Sequence, residues 1–170
     1  MQRNRQGGPD VILDAHGLRV ELPRGWSGRV FGGPGGVATL HAGDFQLPLQ
    51  DGEFGDRSTG SMPEVATFLA LTEYRPGAGL EPGVGLFSAR RIPLPLDPAS
   101  FGTSRLAHPR PGQVGTQHFF TTSGRPFCMY AVIAGPRSRR RGQLLALDRV
   151  LRSVRIAART GATAPHALGR

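Results

Sequence analysis

The eight residues Phe127-Cys-Met-Tyr-Ala-Val-Ile-Ala134 contain no charged or amide side chain. A stretch this short, rich in aromatic and β-branched residues, reads as a strand in the middle of a sheet with both faces covered. A chain that carries it must build a layer on each side. Just before it lies Val114-Gly-Thr-Gln-His-Phe-Phe-Thr-Thr122 and the turn Ser123-Gly-Arg-Pro126, so the two arms predict a hairpin. Upstream, Gly17-Leu-Arg-Val-Glu-Leu-Pro23 alternates apolar and polar residues and stops at proline, as a half-buried strand does. Gly28–Gly32 and Gly36–Gly43 predict two strands joined by Gly32-Gly-Pro-Gly35, and Thr67–Tyr74 predicts a central one. Val84–Ala89 reads as a further short strand, and Ser61–Ala66 as a helical turn capped by Ser61. Ile92-Pro-Leu-Pro-Leu cannot donate regular ladder hydrogen bonds and is expected to be extended or polyproline-like. Glycine and proline supply 25 and 15 of the 170 residues, and their place between these segments marks turns, not disorder.

The clearest helix is Gln143–Arg159. At 100° per residue Leu144, Leu147, Val150, Leu151 and Val154 share a sector of roughly 120°. Arg141, Arg149, Arg152, Arg155 and Arg159 occupy the neighbouring one, with Asp148 and an exposed Leu145. About seven strands and this helix predict an α+β domain: a mainly antiparallel sheet covered by a long C-terminal amphipathic helix. The domain is expected over residues 11–158, with disordered tails at 1–10 and 159–170.

The charge is uneven. All 21 basic residues are arginine, which points first to a GC-rich genome. Residues 1–101 hold 9 arginines against 11 acids, whereas residues 102–170 hold 12 against Asp148 alone. The densest run, Pro136-Arg-Ser-Arg-Arg-Arg-Gly142, places positive charge where a helix dipole disfavours it. The candidate contact residues are therefore Arg137, Arg139, Arg140, Arg141, Arg149, Arg152 and Arg155. They suit a partner protein with an acidic surface or, as the alternative, an anionic membrane or nucleic-acid backbone. No aromatic residue lies between Pro136 and Arg170, which speaks against base stacking.

Two short motifs carry a resemblance: the opening Leu18-x-Val-x-Leu-Pro-x-Gly-Trp26 and the closing Leu147-Asp-Arg-Val-Leu-Arg-Ser-Val-Arg-Ile156. Together they resemble the PsbP-like superfamily of small α/β/α sandwiches, and the whole chain is similar to small proteins of GC-rich bacteria. The resemblance implies a final helix over a sheet. It also implies a role as an assembly factor or accessory subunit, without catalysis.

Chemistry elsewhere is sparse. The five histidines lack metal-clip spacing, and the lone Cys128 excludes an intramolecular disulfide. Across the hairpin His118 is expected opposite Cys128 or Tyr130, which leaves a Cys–His dyad as the one nucleophilic candidate. No oxyanion element accompanies it, so no catalytic set, cofactor or metal is expected. Asp51-Gly-Glu-Phe-Gly-Asp56 fails the spacing of a Ca²⁺ loop and reads as a solvated acidic loop. It could pair with the arginine ridge within one molecule or in a homo-oligomer. The N-terminus lacks the apolar core of a secretory signal, and no run of about 18 apolar residues is present. The expected location is the cytoplasm.

Overall fold

Ser123 and Gly124, at φ 52° and 71°, make a two-residue turn whose twist matches that of paired strands. It joins β6 (Gln113–Thr122) to β7 (Arg125–Ala134), with Gln113 opposite Ala134 and Thr122 opposite Arg125. The other edge of β7 pairs with β5 (Ala66–Glu73), and β4 (Ala38–Gly43) and β3 (Ser27–Gly32) follow. The result is a five-stranded antiparallel sheet in the order β3-β4-β5-β7-β6. Every residue of β5 and β7 is buried. Their period of two sends Leu69, Leu71, Phe127, Met129 and Ile133 into one core and Phe68, Ala70, Tyr130 and Val132 into the other. The computed structural model describes residues 10–77 and 79–160. Most of both expected tails, 1–9 and 161–170, therefore lies outside the described residues.

The layers on the two faces correct the expectation of one sheet of about seven strands under a long C-terminal helix. Among the described residues eight antiparallel strands form two sheets, accompanied by two α-helices, α1 (Asp56–Gly60) and α2 (Arg137–Ser153). The second sheet is β1 (Val11–Ala15), β2 (Leu18–Leu22) and β8 (Arg155–Ile156), in that order. Its separation from the first has a local cause. Trp26 N–H bonds Pro23 O at 3.1 Å, turning the chain out of β2 before β3 begins. Gly28 then permits close approach, since a Cβ there would lie 2.7 Å from Leu22 and 2.9 Å from His41 O. Leu18, Val20 and Leu22 meet Leu144, Leu147, Val150 and Leu151 of α2 in the main core, together with the first face of the large sheet.

The helix starts and stops earlier than its periodicity suggests. Pro136 precedes the first turn, as proline without an N–H can, so Arg137–Arg141 lie inside α2. At the other end Ser153 Oγ donates to Val150 O at 2.6 Å and accepts from Glu21 N–H at 3.0 Å. Val154 is extended, and β8 pairs with β2 through Leu18–Ile156 and Arg19–Arg155. Arg155 and Arg159 are therefore off the helix. The second core is covered by the connection after β4, through Leu47, Phe45 and Phe54, by Met62 beyond α1, and by Leu106. Ser61, expected to begin a helix, ends α1 instead, its hydroxyl donating to Arg57 O at 2.8 Å. The expected strand Val84–Ala89 is a 3₁₀ turn over Gly85–Phe87 that buries Phe87. No helix among the described residues is long and apolar enough to cross a membrane.

Candidate partner-binding groove

Residues 89–96 form a strap that the sheet cannot absorb, because Pro93 and Pro95 have no N–H to donate. It is tied at three points. Thr121 N–H donates to Ala89 O at 2.7 Å. His118 Nε2 lies 3.2 Å from Arg91 O. Leu96 N–H donates to Asp148 Oδ1 at 2.9 Å. Asp148, read from the sequence as part of a polar ridge, is a buried anchor on α2. The strap is thus held on β6 at one end and on α2 at the other, and its middle stands away from the end of α2.

Between them lies a groove of about 820 Å³. Ile92 and Leu94 of the strap, Phe120 of β6, Leu151 and Val154 at the end of α2, and Ile156 of β8 make it apolar. Arg90 and Arg91 stand on the strap, Arg152 and Arg155 on the α2–β8 side, and all four are exposed. No carboxylate lines the groove, and none of the four has an ion-pair partner among the described residues. Arg155 also donates to Arg152 O at 2.8 Å and Val154 O at 2.9 Å, which satisfies carbonyls at the negative end of the helix.

A buried ion pair holds the β8 side. Glu73 Oε1 and Oε2 accept from Arg125 Nε at 2.9 Å and Nη2 at 2.8 Å. Arg125 also reaches His16 O and Ala157 O, both at 3.0 Å, and Arg159 Nη2 reaches Glu73 Oε1 at 2.6 Å. One guanidinium therefore ties β5, the β1–β2 turn and the residue after β8. Gly17 at φ 76° leaves room for it, since a Cβ would lie 2.5 Å from Arg125 Nη1.

Of the seven candidate arginines, the structure brings only Arg152 and Arg155 to the groove. Arg149 pairs with Asp10 at 2.7 Å. Arg137, Arg139, Arg140 and Arg141 sit together in the first turns of α2, without an acidic side chain there and without a side-chain cap. That arrangement costs helix stability. Arg137→Glu and Arg139→Glu are each expected to raise stability by about 0.5–1 kcal/mol, measured as an increase in the urea midpoint. A decrease would show that these side chains already hold a stabilising contact. Sequence reasoning missed Arg90 and Arg91. Their one signal was a consecutive arginine pair immediately before a proline-bound apolar segment.

The dyad and the acidic loop resolve differently. His118 faces Met129, and Cys128 faces Phe119; consecutive strand residues point to opposite faces, so the two groups are not juxtaposed. Burial pushes the Cys128 thiol up to about 12. In the loop the Asp51 side chain is buried, accepting from the backbone N–H groups of Gly52, Arg57 and Ser58 at 2.8, 2.8 and 2.9 Å and from the Ser58 hydroxyl. It caps α1 from within and is not a solvated charge.

The geometry defines a groove that combines apolar floor with unpaired cationic walls. No protein-family model, curated protein or solved structure matches the chain, so the functional reading rests on this chemistry.

Proposed function

We propose that this protein is a non-catalytic interaction protein, an accessory factor that docks an acidic protein partner on the groove and the adjoining arginines of α2. The observation that carries the reading is four exposed arginines around an apolar floor with no carboxylate in the lining. Such cationic walls attract and orient an acidic surface, while the apolar floor supplies contact area. The resemblance to PsbP-like proteins supports an accessory role. Its opening and closing motifs meet where Leu18 pairs with Ile156, beside the groove. A cytoplasmic setting belongs to the proposal, in keeping with a single, unpaired cysteine.

The test is binding of fluorescent polyglutamate, with polylysine as control. Wild type is expected to bind polyglutamate at low salt and to lose it as salt rises. Arg91→Glu/Arg152→Glu is expected to abolish this binding with an unchanged melting temperature. Equal binding by wild type and variant would sink the reading. A second reading, an anion binder of phospholipid or nucleic acid, is favoured by the exposed Arg137, Arg139 and Arg141 with half-buried Arg140. It predicts flotation with anionic vesicles or a DNA gel shift that disappears in Arg139→Ala/Arg140→Ala/Arg141→Ala.

A further inference from the structure

We infer that the groove is filled by a short segment of the partner in which one or two large apolar side chains are flanked on both sides by carboxylates. This rests on the reading above that the groove is the docking site. Its floor is assembled from three separate elements, through Phe120, Leu151 and Ile156, and Ile92 and Leu94 add the strap's apolar side. The positive charge is divided between the two walls, Arg90 and Arg91 facing the groove from the strap and Arg152 and Arg155 from the α2–β8 side. A single-headed amphiphile would satisfy one wall and leave the other uncompensated. A nucleic-acid backbone would satisfy both and leave the apolar floor bare. A polypeptide with acids before and after an apolar residue answers both features together. A volume of about 820 Å³ lies within the roughly 300–1,000 Å³ of compact ligand sites, enough for a few side chains and too small for a domain.

The chain itself does not supply this segment. Asp10-Val-Ile-Leu-Asp14 has this pattern, with Val11 and Ile12 each 50% exposed, but in a second copy its backbone is paired in β1 and its acids are already held by Arg149 at 2.7 Å and Arg19 at 3.0 Å. Residues 1–9 carry Arg3 and Arg5 and residues 161–170 carry Arg170, with no acid in either. The acidic loop of a second copy is no better. Asp51 is buried, Asp56 lies 3.3 Å from His108, and Arg29 donates to Leu49 O at 2.7 Å within the same surface. The occupant is thus a segment of another protein.

The experiment uses the full chain and two labelled peptides, acetyl-Gly-Glu-Glu-Leu-Phe-Glu-Glu-Gly and its counterpart with Ser-Ser replacing Leu-Phe, followed by fluorescence anisotropy. Wild type is expected to prefer the Leu-Phe peptide by about tenfold or more, as burial of large apolar side chains requires. Ile92→Ser on the strap and, separately, Ile156→Ser on β8 are each expected to cut that preference to about threefold or less, leaving affinity for the Ser-Ser peptide unchanged. Thermal melts identify any variant that has lost its fold, and the other then carries the test. Arg91→Gln/Arg152→Gln is expected to weaken both peptides. Equal binding of the two peptides by wild type would overturn the apolar anchor and leave the acidic-partner reading standing. Absence of salt-sensitive polyglutamate binding would remove that reading itself. Binding of dodecanoate with no binding of either peptide would overturn the inference in favour of an amphiphile.

Discussion

Arg125→Ala is expected to lower the unfolding free energy by about 3–5 kcal/mol, the usual consequence of removing one partner from a buried ion pair. Glu73 and Arg125 are each 3% exposed, so the carboxylate left behind would remain out of water. It would keep only the Ala38 N–H at 2.8 Å and Arg159, while His16 O and Ala157 O would lose their donor. Arg159 cannot substitute, since its side chain is 43% exposed. Arg159→Ala is expected to cost no more than about 1 kcal/mol. Arg125→Lys is expected to recover only part of the loss, because one ammonium cannot reproduce a bidentate fork plus two carbonyl contacts. Urea melts followed by circular dichroism measure all three, and a loss under about 1 kcal/mol for Arg125→Ala would show that the pair contributes no more than a surface bridge. Acid adds a second check. Burial alone raises the Glu73 carboxyl, but hydrogen bonds from Arg125, Ala38 and Arg159 outweigh it and hold the group below its ordinary value. A depressed folded-state pKa means stabilisation that is complete above the ordinary glutamate range and lost as pH falls through the folded value. The gap between wild type and Glu73→Gln should therefore close in acid, below about pH 4. Because Arg125 also donates to Ala157 O, directly after β8, Arg125→Ala is expected to loosen one wall of the groove as well.

The parts of this fold that could be read from the sequence are those whose pattern and turn chemistry agree. The β6–β7 hairpin combines an apolar arm with a Ser-Gly turn, and β2 alternates up to Pro23. Where one pattern served two structures, the reading failed. Val154 and Ile156 are β-branched residues next to a helical stripe, and helical spacing alone cannot show that Leu18 and Arg19 of β2 offer them strand pairing. β1 is five residues long, with Val11 and Ile12 each 50% exposed, and was placed inside the domain without a pattern that marked it as a strand. Polar residues were misread for a common reason. Asp148 and Asp51 sit in stretches that suit solvent, but the backbone N–H groups of Leu96, Arg57 and Ser58 need acceptors once they are covered. Those donors come from the strap and from the five-residue α1, whose positions no periodicity predicts. The groove was half visible for the same reason. Arg152 and Arg155 announced themselves as part of a basic helix region, whereas Arg90 and Arg91 gain meaning only when Asp148 holds the strap beside it.

Asp51→Ala is expected to cost about 2–3 kcal/mol, since it takes a charged acceptor from three backbone N–H groups and from the buried Ser58 hydroxyl. Its neighbours make the result diagnostic. Glu53 and Asp56 are exposed, and alanine at either is expected to change stability by no more than about 0.5 kcal/mol. A solvated acidic loop would instead give three small and similar effects, and that outcome would refute the internal cap. Asp51→Asn should fall between, because its amide NH₂ turns donors toward the Ser58 hydroxyl and N–H groups that themselves donate. His41 supplies a pH signature for the same site. Its Nε2 lies 2.9 Å from Glu53 O, so the proton resides there, and Nδ1 lies 4.0 Å from Asp51 with no hydrogen-bond partner among the described residues. Burial pushes the His41 pKa down, against the carbonyl of Glu53 and the charge of Asp51. Well above about pH 6.5 neither folded nor unfolded histidine is charged. Below it the unfolded chain takes up the proton first, so stability falls with acidification. Removing Asp51 removes a charge that favours protonation of folded His41, so Asp51→Ala should lose stability more steeply than wild type once the pH falls to the value at which folded wild-type His41 takes up its proton. Desolvation raises the carboxyl of Asp44, which titrates in the opposite sense in both proteins, so the comparison is the difference between them as the pH is lowered from about 7. Curves that stay parallel through the pH at which folded wild-type His41 takes up its proton would mean that His41 and Asp51 do not share a field.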